Sequence, residues 1–240
     1  MKRRRWSIIH EDEDIIVVDK TAPYLTIPDR YDKTIPCLLS TLSENRTEVF
    51  VNHRLDKETS GLILFTKNAD AHKFVSELFV EGKVDKHYLT LVKGVPSEEV
   101  GLVDLPIAEG SHNKKGMVVS PAGKSAQTKF RIVEKWNRYS LLEIKLLTGR
   151  QHQIRVHMKA IRCPVVCDQL YGDGKPFFLS SIKRRLNRRR EDVEKPLLRR
   201  QALHSHLLSF QHPTSKEMLS FKSELHKDMR AMVNQLRKHG

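Results

Sequence analysis

The sequence predicts an α+β fold, because strand-like and helix-like segments follow one another without the strand–helix–strand rhythm of a doubly wound sheet. Thr128 to Val133 and Tyr139 to Leu147 are predicted to be paired strands, since apolar and charged residues alternate in the second segment. The chain has 240 residues, which is enough for one domain with a sizeable core. We therefore expect a single domain over residues 1–240.

Local composition predicts three further strands and one short helix. Ile15 to Val18 is a β-branched run, and Gly61 to Thr66 and His87 to Val92 are also strand-like. Pro36 to Leu42 is predicted to be a short helix that begins after a Thr34 cap. Helices and strands are thus mixed along the chain, as the α+β class requires.

Apolar stripes predict two longer helices. The first begins after an Asn68 cap and ends at Gly82, and the second spans Ser223 to His239. The stripe residues are Ala71, Phe74, Val75, Leu78 and Phe79 in the first helix, and Leu225, Met229, Met232, Val233 and Leu236 in the second. We expect both stripes to cover the core.

The charge of the chain points to a polyanionic partner. A net charge of +14, with 30% charged and 39% hydrophobic residues, favours nucleic acid. The sequence has no long basic amphipathic helix with Trp or Phe for lipid insertion and no run of transmembrane length, so no membrane partner is expected. The N-terminal MKRRRW precedes SIIHEDED rather than an apolar segment, so no signal peptide is expected. We expect a cytoplasmic monomer.

Metal and nucleotide cofactors are not expected. An odd number of cysteines suggests reduced thiols, and Cys163 and Cys167 have no second ligand pair at zinc-like spacing. His152 and His157 are five residues apart and do not form an HExxH motif. The sequence also contains neither GxxxxGKS/T nor GxGxxG, so no nucleotide-binding loop is indicated.

The segment from about residue 174 to residue 200 is rich in arginine. It contains IKRRLNRRRED and LLRR and has few apolar residues. Such a segment can be a solvated insertion or an arm that binds phosphates, and the overall positive charge favours the arm.

Two segments carry the candidate chemistry. In HRLDKETSGL (residues 53–62) four charged residues, among them Arg54 and Asp56, directly precede an apolar run. An isolated aspartate such as Asp56 is more often a turn cap than a catalytic group.

The second segment is TGRQHQIRVHM (residues 148–158), which follows a strand and has the pattern of a helix with one buried apolar face. Arg150, His152, Arg155 and His157 should then project away from that face. Burying such groups without anions is costly, so RNA phosphates and a protein carboxylate are the expected partners.

Five ordered motifs over about residues 10–222 closely resemble the RluA-type pseudouridine synthases. The motifs are HRLDKETSGL (53–62), KHYLTLVKG (86–94), GKSAQTKFRIVE (123–134), LLTGRQHQIRVHM (146–158) and LHSHLLSFQHP (203–213). The resemblance implies a long, mixed, mainly antiparallel sheet flanked by helices, with an RNA-binding cleft. It also implies isomerisation of uridine to pseudouridine in ribosomal or transfer RNA, without cofactor or metal.

The resemblance also assigns roles to individual residues. Asp56 matches the essential catalytic aspartate, and Tyr88 matches the tyrosine that stacks on the target base. Arg155 matches the arginine that ion-pairs with the catalytic aspartate, and Arg54 matches a side chain that can fill the space left by a flipped base.

Further RNA contacts are expected from Lys86, Arg150 and His152, which lie in the matching motifs. The chain departs from the family at KTAP (residues 20–23), and Arg162 and Cys167 stand where the family usually has glycine. We also expect no N-terminal RNA-binding S4 domain, which many relatives carry. The alternative reading is an RNA-binding protein without catalysis that assists RNA folding.

Overall fold

The computed structural model describes residues 5–111, 116–183 and 193–240. Within this part, the chain forms two compact units, one comprising Met1–His87 with His204–Glu224 and the other Tyr88–Leu203 with Leu225–Gly240. The central residues of the arginine-rich segment, 184–192, lie outside the described part. The phosphate-binding arm therefore stays a prediction, as does the single-domain organisation.

The described elements are mainly strands. In chain order, the strands are β1 (Trp6–Glu11), β2 (Ile15–Lys20), β3 (Phe50–Val51), β4 (Ser60–Thr66), β5 (Asp85–Lys93), β6 (Val100–Asp104), β7 (Ile107–Glu109), β8 (Met117–Val119), β9 (Gln127–Lys135), β10 (Tyr139–Leu146), β11 (Leu203–Gln211) and β12 (Met218–Lys222). The helices are α1 (Leu38–Ser43), α2 (Ala69–Val80), α3 (Gln153–Ala160) and α4 (Lys227–His239). A large sheet with few helices, which do not alternate regularly with the strands, confirms the α+β class.

In the first unit, the sheet order is β1-β2-β4-β11, with β3 beside β4 and β12 beside β11. All of these pairs are antiparallel except β4 with β11, which run parallel. Helix α2 packs on this sheet, where Val75 and Leu78 join buried residues of β2, β4 and β11 in one core. The sheet is therefore mixed but mainly antiparallel, as expected.

In the second unit, the sheet order is β5-β10-β9-β6, and β7 and β8 form a separate hairpin-like pair. β9 pairs antiparallel with both β10 and β6, which confirms the predicted β9–β10 pair. Val156 of α3 and Tyr171 pack with Ile107 and Ala126 in a local core. Met229, Met232, Val233 and Leu236 of α4 are buried, so these four stripe residues cover a core as predicted. The helix begins at Lys227 rather than at the predicted Ser223, so Leu225 lies before it.

Helix starts were predicted with mixed success. The Asn68 side chain accepts a hydrogen bond from Ala71 N at 2.8 Å and caps α2, as predicted. Helix α1, however, is capped by Cys37 rather than by Thr34, whose hydroxyl bonds Asp32 instead. Among the described helices, none is long and apolar enough to cross a membrane.

Arg162 ends α3 in the left-handed backbone region, with a φ of 60°. Its N–H donates to Lys159 O at 3.0 Å, and Cys163 N donates to Met158 O at 2.9 Å. This is the Schellman arrangement, in which the left-handed residue is usually glycine because a Cβ is strained there. Cys167 has the same φ of 60°. Both departures from the family's glycines thus keep a glycine-like backbone conformation.

We expect Arg162→Gly to stabilise the protein by about 0.5–1 kcal/mol, because glycine relieves the left-handed strain at an exposed helix end. The melting temperature should rise by roughly 1–4 °C, measured by calorimetry. Arg162→Ala is the matched control, since it removes the charge but keeps the Cβ. Equal melting temperatures for the two variants would contradict the prediction.

Candidate active site

A buried lysine holds the loop that carries Asp56. The Lys20 side chain is fully buried at the end of β2. Its Nζ donates to the main-chain oxygens of Tyr24, Asp56 and Lys57 at 2.8, 3.2 and 3.3 Å. A cation that binds several carbonyls makes strong, charge-assisted hydrogen bonds. Lys20 therefore fixes the main chain of the loop at Asp56, the candidate catalytic residue. Asp56 itself is half-buried.

Leu55 and His53 anchor the same loop. The Thr26 hydroxyl donates to Leu55 O at 2.9 Å and accepts from Leu55 N at 3.2 Å. The Leu64 N–H donates to His53 Nε2 at 2.9 Å, which requires an unprotonated nitrogen there. Burial, and then the charge of Lys86, lower the pKa of His53 to about 3. A neutral imidazole thus ties the loop to β4 at physiological pH.

The exit from the loop is fixed by a close approach of β4 and β11. Ser60 Oγ and His204 Nδ1 form a hydrogen bond of 3.0 Å. Gly61 has a φ of +106°, and a Cβ there would lie 2.1 Å from the Ser205 main-chain oxygen. Only glycine allows this approach. The last residues of HRLDKETSGL therefore close the loop.

Lys86 and Tyr88 occupy alternate positions of β5, and both are buried. The Lys86 ammonium lies 5.0 Å from the centre of the Phe79 ring. Burial lowers the pKa of Lys86, and the neighbouring Asp85 carboxylate opposes this shift. Arg54 is exposed. The predicted roles of these side chains toward RNA remain predictions.

Arg155 has a carboxylate partner that the sequence did not reveal. Its Nε and one terminal nitrogen donate to the two Asp168 oxygens at 2.7 and 2.9 Å. Asp168 is fully buried. Residue spacing alone could not indicate this pair, although Asp168 follows one of the replaced glycines. The expected pairing of Arg155 with Asp56 stays a prediction.

The other polar residues of TGRQHQIRVHM have separate environments. His152 has a left-handed φ of 55° at the start of α3, and its Nδ1 lies 2.8 Å from the Tyr171 hydroxyl. Arg150 is exposed, and its Nε donates to Ser125 O at 2.9 Å. The expectation that all four groups project away from the buried face is wrong for His157.

His157 is a fully buried histidine with protein partners. Its Nδ1 lies 2.8 Å from Thr128 Oγ1 and its Nε2 lies 2.9 Å from Leu105 O. Burial lowers the pKa of His157, while the Leu105 carbonyl opposes the shift. The ring is thus satisfied within the second unit, because β9 and the residue after β6 supply hydrogen-bond partners that helical periodicity does not report.

Within the described part of the chain, no three His, Cys, Asp or Glu side chains form a group that could hold a metal ion. Burial raises the pKa of the Cys163 thiol and raises that of Cys167 to about 12. Neither thiol is therefore poised as a nucleophile at neutral pH.

Comparison with known proteins supports the resemblance in the motifs. The model of the family described as RNA pseudouridylate synthase matches residues 14–160. The uncharacterized RNA pseudouridine synthase YlyB of Bacillus subtilis is 33% identical over 97% of this chain and 73% of its own length. The ribosomal large subunit pseudouridine synthase D of Vibrio cholerae is 34% identical over 96% of this chain and 71% of its own.

Solved structures agree on the fold. The human RNA pseudouridylate synthase domain containing 4 aligns with a TM-score of 0.73 at 22% identity, over 96% of this chain and 93% of that one. The human RNA pseudouridylate synthase domain containing 1 aligns with a TM-score of 0.68 at 25% identity, over 97% and 94%. Matched motifs, family model and fold together show that this chain belongs to the RluA-type RNA pseudouridine synthase family.

Proposed function

We propose that Asp56 is the essential catalytic residue with which this enzyme converts uridine in RNA to pseudouridine. The observation that carries this assignment is the clamp on its loop, in which the buried Lys20 ammonium binds the main-chain oxygens of Asp56 and Lys57. A carboxylate on a rigid loop loses little entropy when it meets its substrate, which is the advantage of preorganisation.

The proposed reaction breaks the bond between C1′ and N1 of uridine and forms a bond between C1′ and C5. N1 gains a proton and C5 loses one, so the reaction is balanced without a co-reactant. An ionised Asp56 can act as a nucleophile at the base or sugar, or can assist an elimination at the sugar. Both routes require the nucleotide to leave its stack so that the carboxylate can reach it.

Three other residues act on the same nucleotide in this proposal. Tyr88 stacks on the flipped uracil, an interaction worth roughly 1–3 kcal/mol. Arg155 forms an ion pair with Asp56. Arg54 enters the space that the base leaves. Their positions in the family motifs support these roles.

We further propose that the substrate is ribosomal RNA of the large subunit and that the enzyme is a cytoplasmic monomer. The names of relatives such as the Vibrio cholerae protein support this choice of RNA. The net charge of +14 favours binding to the phosphate backbone, and Lys86, Arg150 and His152 are the proposed contact residues.

The test is release of tritium from RNA labelled at C5 of uridine, because that hydrogen leaves during the isomerisation. Large-subunit ribosomal RNA from cells that lack the gene should release tritium in proportion to enzyme turnover, whereas transfer RNA from the same cells should not. Release from transfer RNA alone would contradict the proposed substrate. Failure with total cellular RNA, although the purified protein is folded, would contradict the proposed function.

A further inference from the structure

The Arg155–Asp168 pair has the geometry of a device that orients a guanidinium. A guanidinium has five N–H donors in a fixed plane. Asp168 accepts from Nε and from one terminal nitrogen at 2.7 and 2.9 Å. This side-on contact fixes the plane and the direction of the whole group, including the edge opposite the carboxylate.

Asp168 is itself held rigidly. One of its carboxylate oxygens accepts from Leu170 N and Tyr171 N at 2.9 and 3.0 Å. The Gly172 N–H donates to the Asp168 main-chain oxygen at 3.0 Å. Burial would raise the pKa of Asp168, but hydrogen bonds and charge from Arg155, with the two main-chain donors, hold it below its ordinary value. The carboxylate is therefore charged and immobile.

Tyr171 supports the guanidinium from a second direction. Its ring centre lies 4.9 Å from the Arg155 Cζ, which is within cation–π range. Its hydroxyl is hydrogen-bonded to His152 Nδ1 and Met117 N, both at 2.8 Å. The ring is thus tied to β8 and to the start of α3. Asp168 fixes the plane of the guanidinium, and the Tyr171 ring limits its movement perpendicular to that ring.

We propose that Asp168 and Tyr171 are positioning residues that hold the Arg155 guanidinium in the one orientation that catalysis requires. This inference rests on the proposed function, in which Arg155 is one of the residues that act on the target nucleotide. It assigns a role to the turn CDQLYG (residues 167–172), which contains none of the proposed catalytic residues Asp56, Tyr88 and Arg155. A misplacement of about 1 Å in such a group can cost on the order of 10²-fold in rate.

The first test is Asp168→Asn, which keeps the shape of the side chain but removes its charge and one acceptor. We expect kcat for pseudouridine formation to fall about 10²-fold while KM changes by less than about 3-fold. Asp228→Asn is the matched control, because Asp228 makes the same bidentate pair with the buried Arg200 at 2.7 and 2.9 Å. The control should lower the melting temperature but leave kcat unchanged.

A double-variant cycle separates positioning from general stability. If Asp168 acts through Arg155, then Arg155→Lys with Asp168→Asn should have the same kcat as Arg155→Lys alone, within about 2-fold. Independent, multiplying effects would overturn the proposal.

If Asp168→Asn does not fold, Tyr171→Leu tests whether Arg155 is positioned by its neighbours. This variant should lower kcat about 10-fold without changing KM. Wild-type kcat in a folded Asp168→Asn or Tyr171→Leu enzyme would also overturn the proposal. That result would leave the proposed function intact, because the wild-type enzyme would still form pseudouridine. An inactive wild type would instead remove the proposed function.

Discussion

Asp56→Asn is expected to lower the rate of pseudouridine formation by about 10⁴-fold or more. The amide has nearly the shape of the carboxylate, so the clamp of Lys20 on the main chain should survive. It lacks the negative charge that either a nucleophilic attack or an elimination requires. Binding of RNA should change by no more than a few-fold, because cationic side chains and phosphates supply most of the affinity.

The measurement combines single-turnover tritium release with a filter-binding titration of the same RNA. Asp56→Ala should be equally inactive, and it excludes residual activity from deamidated asparagine. Glu58→Gln is the matched control, since it removes a carboxylate two positions along the same loop and should retain kcat within about 3-fold. If both Asp56 variants still formed pseudouridine, the proposed catalytic role of Asp56 would be wrong. Loss of both RNA binding and turnover would point to a collapsed loop.

The elements that the sequence predicted well have strong local signals. Helix α2 combines an Asn68 cap, an apolar stripe and a terminal Gly82, and the structure shows a helix over Ala69–Val80. Strand β6 was not predicted, and two of its apolar residues, Val100 and Leu102, are exposed. Periodicity identifies a strand when one face is buried, so an edge strand with exposed apolar residues gives little signal.

The supports of the candidate site were harder to predict than its central residue. The motif around Asp56 is recognisable, but Lys20 binds main-chain carbonyls that lie 36 and 37 residues further along the chain. A carbonyl is present at every residue, so the sequence carries no mark of this partner. Asp168 was equally hard to predict as the partner of Arg155, because only the fold brings the two side chains together. Side-chain identity therefore predicts the reactive group better than it predicts what holds it.

Lys20→Met is expected to damage both stability and catalysis. Methionine fills a similar space but leaves the main-chain oxygens of Tyr24, Asp56 and Lys57 without the ammonium. Removing a buried donor costs about 1–3 kcal/mol for each group left unsatisfied. Partial relaxation of the loop should leave a net loss of about 3 kcal/mol, which lowers the melting temperature by roughly 6–12 °C.

The catalytic effect should exceed what unfolding explains. Well below the melting temperature, where the variant is folded, kcat should still fall about 10²-fold, because Asp56 is no longer held at a fixed position. Lys67→Met is the matched control. The Lys67 ammonium also binds a main-chain oxygen, that of Asp12, and it pairs with the Glu11 carboxylate at 3.3 Å. Its loss should lower stability and leave kcat unchanged. Equal kcat values for the two folded variants would mean that Lys20 stabilises the first unit without positioning Asp56.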